Sequence, residues 1–169
     1  VSIPDYLKMI EYKTAVLVAA AMKMGAIIAE TSEENANLIY DFGLNLGLAF
    51  QLQDDYLDAF GDPETFGKQV GGDIIENKKT YLYLKAYEFA SNEQAEQLAH
   101  LFSIHPEDNS EKINSVKEIF LATGAAFETK KAIQEFTLKA FETLQKVSIG
   151  NEKKEMLQSF GENLMGRKV

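Results

Sequence analysis

Phe50-Gln51-Leu52-Gln53-Asp54-Asp55-Tyr56-Leu57-Asp58-Ala59-Phe60-Gly61-Asp62 is the stretch on which the reading of this chain turns. At about 100° per residue, Gln51, Asp54, Asp55 and Asp58 stand at i, i+3, i+4 and i+7 and share one stripe of a helix. Leu46, Ala49, Phe50, Leu52, Tyr56, Leu57 and Phe60 fill the rest of the circumference, the pattern of a helix covered on most sides. Carboxylates this close raise one another's pKa, and burying them unpaired costs roughly several kcal/mol per ion. A divalent cation removes that cost. Mg²⁺ is held by a few hard oxygen ligands with room left for water and phosphate oxygens. An acidic stripe by itself is more often a solvated face; the apolar surroundings make Asp54, Asp55 and Asp58 candidate metal ligands instead.

The remaining composition fits an all-helical chain of one domain. There are 169 residues, enough for a real core, and 46% are hydrophobic. Val, Ile and Thr rarely form alternating runs, so no strand is expected. The 17 basic against 26 acidic residues, net −9, argue against nucleic acid or an anionic membrane as a general partner. All the basic residues except Arg167 are Lys, so bidentate guanidinium clamps on phosphate are scarce. Cys is absent, which excludes disulfides and thiolate metal sites and agrees with a cytoplasmic location. His100 and His105 are too isolated for a zinc site. The apolar run from Thr14 to Met22 lies between Lys13 and Lys23, well short of the roughly 20 residues of a membrane span, so stable membrane insertion is not expected.

Along the chain, Pro4 suits the first turn of a helix whose apolar pattern runs to Ile28. Its second half is rich in Ala and Gly, which predicts close approach to a neighbour. Thr31-Ser32-Glu33-Glu34 reads as a capping box, with Thr31 the cap of the aspartate helix from about Glu33 to Phe60. Gly43 and Gly47 on that helix again permit close packing. Phe66-Gly67-Lys68-Gln69-Val70-Gly71-Gly72-Asp73 is a glycine-rich loop carrying a lysine; its spacing is not that of a P-loop. Asn77-Lys78-Lys79-Thr80 opens the next helix, Ser91 and Gln94 form a second capping box, and helices follow from about Glu111 to Leu121, from Ala125 after an interruption near Gly124 to near Gly150, and from an Asn151 cap onward. Met156, Leu157, Phe160 and Leu164 mark the buried face of the last one.

Read in order, Lys13-Thr14, Phe50-Gln51-x-Gln53-Asp54-Asp55-x-x-Asp58, Gly61-Asp62, Phe66-Gly67-Lys68, Gly71-Gly72-Asp73-Ile74 and Asn77-Lys78-Lys79-Thr80 closely resemble the trans-type isoprenyl diphosphate synthases, the group that contains farnesyl and geranylgeranyl diphosphate synthases. The resemblance is strong from Tyr6 to about Leu84 and continues to Arg167 through helical pattern. It implies an all-α isoprenoid-synthase-type helical bundle, in which two aspartate-rich motifs face each other across a deep cavity. Only the second motif is present here, and the arginines that accompany the first are not. Residues 1–169 therefore read as a single partial domain, the C-terminal half of a synthase.

The resemblance also implies chemistry. Mg²⁺ held between the two acidic motifs binds an allylic diphosphate and neutralises the charge that develops as diphosphate leaves; isopentenyl diphosphate then attacks the allylic cation and a proton is lost. Asp54 would be a direct metal ligand, with Asp55 and Asp58 holding metal-bound water or a second coordination position. Lys13, Lys68 and Lys78 would meet the allylic diphosphate as point charges. Thr14 and Gln51 would offer neutral hydrogen bonds near the reacting carbons, and Phe50 would line the apolar channel. The small-residue helix and the aspartate helix are expected to expose apolar surface, and so to form a homo-oligomer, a dimer, or to associate with the missing half-domain. A non-catalytic partner subunit of a heteromeric synthase is the main alternative, and the intact aspartates and Lys68 weigh against it. A terpene cyclase would carry a different second metal motif, and a purely structural helical domain would not bind diphosphate.

Overall fold

The structure, a computed structural model, describes residues 1–62 and 70–166. Among these, all regular structure is helical. Helix α1 spans Ile3–Ile10, and Ser2 and Asp5 cap it reciprocally: Ser2 N–H donates to the Asp5 carboxylate at 3.1 Å and Asp5 N–H to the Ser2 hydroxyl at 3.2 Å. The chain then passes through a π-helical turn, Glu11–Ala15, directly into α2, Val16–Ile28. The expected helix from Pro4 to Ile28 is thus present but widened in its middle. Buried Ile10, Ala15 and Ala19 carry the trace of this, since the step from the first to the second is one residue longer than the next.

Helix α3 is the aspartate helix, Glu33–Phe60. Its cap is Ser32, whose hydroxyl accepts from Asn35 N–H at 3.2 Å, and not Thr31 as the sequence suggested. Thr31 is already committed to ending α2. Glu30 adopts a left-handed backbone, φ 55°, and Thr31 N–H reaches back to Ala26 O at 3.3 Å. The later helices are α4 (Gly72–Ile75), α5 (Tyr81–Phe89), α6 (Asn92–Leu101), α7 (Ser110–Ala122), α8 (Ala125–Lys146) and α9 (Asn151–Met165). The Ser91–Gln94 capping box of α6 is formed. Asn77-Lys78-Lys79-Thr80 does not open a helix; it is a turn that closes α4, and α5 begins after Thr80. Likewise Asn151 is the first residue of α9 and makes no side-chain cap, with Gly150 in the cap position.

The chain divides into two compact units. One comprises residues 1–6 and 52–131. Its buried side chains include Leu52 and Leu57 of α3, Leu82 and Ala86 of α5, Leu98 of α6, and Val116 and Phe120 of α7; Tyr83 packs on Phe102 with ring centroids 4.4 Å apart. The other comprises residues 7–51 and the described part of the segment from 132 onward. Phe42, Leu46, Ile39 and Ala36 of α3 pack there with Ala140 and Leu144 of α8 and Val147. Asn35 ties the start of α3 to the end of α8, donating to Ser148 O at 3.0 Å and accepting from Ser148 N–H at 2.8 Å.

Close approach of α2 to α3 depends on glycine. A Cβ on Gly47 would lie 2.7 Å from Ala15 Cα, and one on Gly43 2.9 Å from Ala19 Cα. Gly161 does the same for α9, where a Cβ would stand 2.9 Å from the Phe141 ring. That contact turns Leu157, Gly161 and Leu164 inward. Met156, at 66% exposure, and Phe160 therefore lie outside, contrary to the sequence reading of that face. The aspartate helix is covered, as its apolar circumference predicts, and does not leave open the apolar surface expected to drive association, because Phe42, Leu46, Ala49, Leu52 and Leu57 are all buried within the chain. Helix α2 does expose apolar surface, with Leu17 at 73% and Ile28 at 82%.

The glycine contacts give a paired prediction. Gly47→Ala should lower unfolding free energy in urea by about 1–3 kcal/mol through overpacking. Gly25→Ala should raise it by about 0.5–1 kcal/mol, the gain in helix propensity, because nothing lies within 4 Å of its added methyl group. Equal effects of the two substitutions would mean that α2 and α3 are not in close contact.

Candidate active site

In the first unit, the end of α3 meets the start of α4. Asp58 Oδ2 accepts from Asp73 N–H at 2.9 Å, and Gly71 N–H donates to Asp58 O at 2.5 Å. This approach needs the glycine pair. Gly71 sits at φ 86°, and a Cβ on Gly72 would come within 3.1 Å of Asp58 Oδ1. Lys78 then completes the turn: its N–H donates to Asp73 O at 2.9 Å, and its ammonium pairs with Asp73 Oδ1 at 3.0 Å and Glu76 Oε2 at 2.6 Å.

The electrostatics of this corner favour a cation. Burial pushes the Asp58 carboxyl up to about 6; the charges of Asp73 and Asp54 act in the same sense, while the Asp73 N–H and Lys78 oppose it. Asp54, one turn earlier on α3, is half-buried. Lys78 is held above its ordinary pKa by Glu76 and Asp73.

Asp55 behaves differently. It is buried, and the Tyr6 hydroxyl of α1 donates to its Oδ2. Burial, followed by the Asp55 charge, pushes the Tyr6 pKa well up, so the phenol keeps its proton and remains a donor. The acidic stripe therefore divides: Asp58 stands with Asp73 and Lys78, whereas Asp55 is engaged with Tyr6 in the interior. Among the described residues no three acidic or histidine side chains gather into a cage that could enclose a metal by themselves.

In the second unit, the π turn brings Thr14 onto α3, where its hydroxyl donates to Gln51 Oε1 at 2.9 Å. Lys13 in the same turn is exposed, and Phe50 and Gln51 are half-buried. Single π turns inside α-helices recur at functional sites because they shift side chains out of the regular helical register. Lys68 lies outside the described residues. The sequence reading gave no role to Tyr6, Asp73 or Glu76. Asp73 had a legible signal, an acid directly after a glycine pair; Tyr6 had none, since its partner is 49 residues away.

Comparison with known proteins supplies the context. Residues 1–120 match the family described as polyprenyl synthetase. The short chain isoprenyl diphosphate synthase of Methanothermobacter thermautotrophicus is 43% identical over 121 residues, which cover 72% of this chain and 36% of that protein. A crystal structure of a geranylgeranyl pyrophosphate synthase superposes with a TM-score of 0.92 at 54% identity, covering 100% of this chain and 53% of the other. The polyprenyl synthase from Caulobacter crescentus CB15, complexed with calcium and isoprenyl diphosphate, superposes at 0.89 with 32% identity, covering 100% of this chain and 51% of its own. The chain is thus similar in fold to these all-α synthases and spans about half of their length.

Two substitutions test the electrostatics. The folded Asp58 carboxyl titrates near 6 against an ordinary value of 3.8, so its ionisation weighs against the fold. That penalty is absent below the ordinary value, grows as pH rises through the interval, and is complete above about 6. Asp58→Asn, which can still accept from Asp73 N–H, should therefore raise the melting temperature at pH 7 in EDTA, with the gain vanishing toward pH 4. A gain that persists unchanged at low pH would exclude this cause. Tyr6→Phe removes one donor from the buried Asp55 carboxylate and should cost about 1.5–3 kcal/mol by denaturant titration; a neutral result would contradict the role given to the phenol.

Proposed function

Because this chain belongs to the polyprenyl synthetase family, we propose that it carries the diphosphate-binding part around the second aspartate motif of an isoprenyl diphosphate synthase. The complete enzyme condenses isopentenyl diphosphate with an allylic diphosphate to give a longer all-trans prenyl diphosphate. One observation carries the reading: the half-buried Asp58 carboxylate, held by a backbone N–H and crowded by the charges of Asp73 and Asp54, stands beside the exposed ammonium of Lys78. An acid placed this way is stabilised by a cation, and the lysine beside it by an anion. A metal diphosphate brings both.

The donor set fits magnesium. Its members are hard carboxylate oxygens, few in number, and Mg²⁺ prefers one or two carboxylates together with water and phosphate oxygens to a closed protein cage. Asp54 and Asp58 would hold it, with Asp55 acting from the interior through the backbone they share. When bound, the metal offsets the negative charge that builds on the departing diphosphate. The protein's own part is binding and orientation. Lys78, released from Glu76 by a stronger anion, would contact the diphosphate as a point charge, as would Lys13 and Lys68. Thr14 and Gln51, already hydrogen-bonded to each other, would present dipoles without an ion that could trap an allylic cation, and Phe50 an apolar wall.

Titration calorimetry with inorganic diphosphate tests this. Binding to the 169-residue chain should require Mg²⁺, disappear in EDTA, and weaken by an order of magnitude or more in Asp54→Ala, roughly the loss expected for a direct charged contact. Metal-independent binding, or full binding by the variant, would remove the basis of the reading. The chain contains one acidic motif, so condensation of labelled isopentenyl diphosphate should need a second acidic motif supplied by another polypeptide segment.

A further inference from the structure

Lys112 of α7 is only 2% exposed, and no carboxylate pairs with it among the described residues. Its ammonium has three donors and meets three neutral acceptors: Asn77 Oδ1 at 2.6 Å, Ile104 O at 2.9 Å and Ile75 O at 3.4 Å. Burial pushes its pKa down from the ordinary value, the cost of placing a charge there without a counter-ion. An apolar side chain of similar length would avoid that cost. The lysine must contribute something an apolar group does not, and its partners indicate what.

An ammonium only donates, so it fixes which way the Asn77 amide points. Oδ1 faces Lys112, and Nδ2 is left to donate to Ile104 O at 3.3 Å, with His105 Nε2 at 3.1 Å. Asn77 is thus clamped from both sides at a backbone φ of 56°, a left-handed conformation that few residues other than Gly accept. That conformation makes the turn that ends α4. Asn77 N–H returns to Ile74 O at 3.2 Å and Lys78 N–H to Asp73 O at 2.9 Å, the paired bonds of a Schellman motif. Asp73, whose carbonyl closes this turn, donates its own N–H to Asp58, and its carboxylate pairs with Lys78.

We propose that Lys112 is a positioning residue: through Asn77 it locks the turn that holds Asp73 and Lys78 beside Asp58, and so shapes the anion site without touching its ligand. The link to diphosphate rests on the proposed function; the link to the turn does not.

The test compares Lys112→Met, Asn77→Gly and the double variant. Glycine accepts the left-handed backbone without strain, so Asn77→Gly removes the amide and spares the turn a steric penalty. Amide hydrogen exchange at Asp73 and Lys78 is read by NMR, with Leu52 and Leu57 of α3 as the reference for global stability. Each single variant should speed exchange at Lys78 by about tenfold or more relative to that reference, as expected for local opening, and the double variant should add little, because both act through one clamp. Exchange at Lys78 that merely follows the α3 reference, or effects that add, would overturn the proposal. If Lys112→Met does not fold, Asn77→Gly decides alone by the same criterion. In parallel, calorimetry with inorganic diphosphate and Mg²⁺ should show weaker binding in both variants. Unchanged affinity despite a loosened turn would overturn the link to the site, whereas a wild-type chain that binds no diphosphate would overturn the proposed function and leave the exchange result to decide the role of Lys112.

Discussion

The hydrogen bond from Asp73 N–H to Asp58 Oδ2 joins the last turns of α3 to the start of α4, and most of the candidate site depends on it. It holds one carboxylate in a half-buried position where burial already disfavours its charge, and it draws a second carboxylate, Asp73, toward the first. Left alone, that arrangement would be unfavourable. Lys78 relieves part of it by pairing with Asp73 and Glu76. The remainder is a local excess of negative charge with hard oxygen donors, beside an exposed ammonium whose present partners are the half-buried Asp73 and the exposed Glu76. Such a corner is stable enough to persist and still favours a cation and an anion arriving together.

Positions this tight need rigid supports. Within one unit, glycines at 43 and 47 bring α3 against α2 at distances a methyl group would not allow, and the π turn presents Thr14 to Gln51. Within the other, Gly71 and Gly72 let the backbone reach Asp58, and Asn77 closes the turn that follows. Tyr6 fixes Asp55 from α1. Apart from Thr14 and Gln51, none of these groups need touch a substrate. Each restricts where a neighbouring polar group can point, which is how helices that pack through apolar faces can hold charged groups in definite places.

Much of this was legible in the sequence because it is local. The 3.6-residue period gave α3 from Glu33 to Phe60 and its covered circumference, the Ser91–Gln94 box gave the start of α6, and the small residues of α2 foretold its close contact with α3. What escaped depends on partners far along the chain. Asp54 and Asp55 are about 100° apart on the same helix, and nothing in their neighbourhood says which faces inward; Tyr6, 49 residues earlier, decides it. The Asn77 turn looked like a helix start because Asn and Thr are good caps, yet Lys112, 35 residues later, holds Asn77 in a left-handed conformation that ends the preceding helix. The π turn leaves only a one-residue slip between Ile10 and Ala15, since one extra residue in the ladder keeps both flanks helical.

The central claim is that the acidic stripe is divided, with Asp54 and Asp58 turned to the ligand and Asp55 held inside by Tyr6. Anomalous diffraction from crystals soaked in Mn²⁺ and inorganic diphosphate tests it most directly, because Mn²⁺ takes the same hard oxygen ligands as Mg²⁺. The account predicts a manganese peak at coordination distance from carboxylate oxygens of Asp54 and Asp58, with the Tyr6–Asp55 hydrogen bond intact. A peak ligated by Asp55, with its bond to Tyr6 broken, would contradict it.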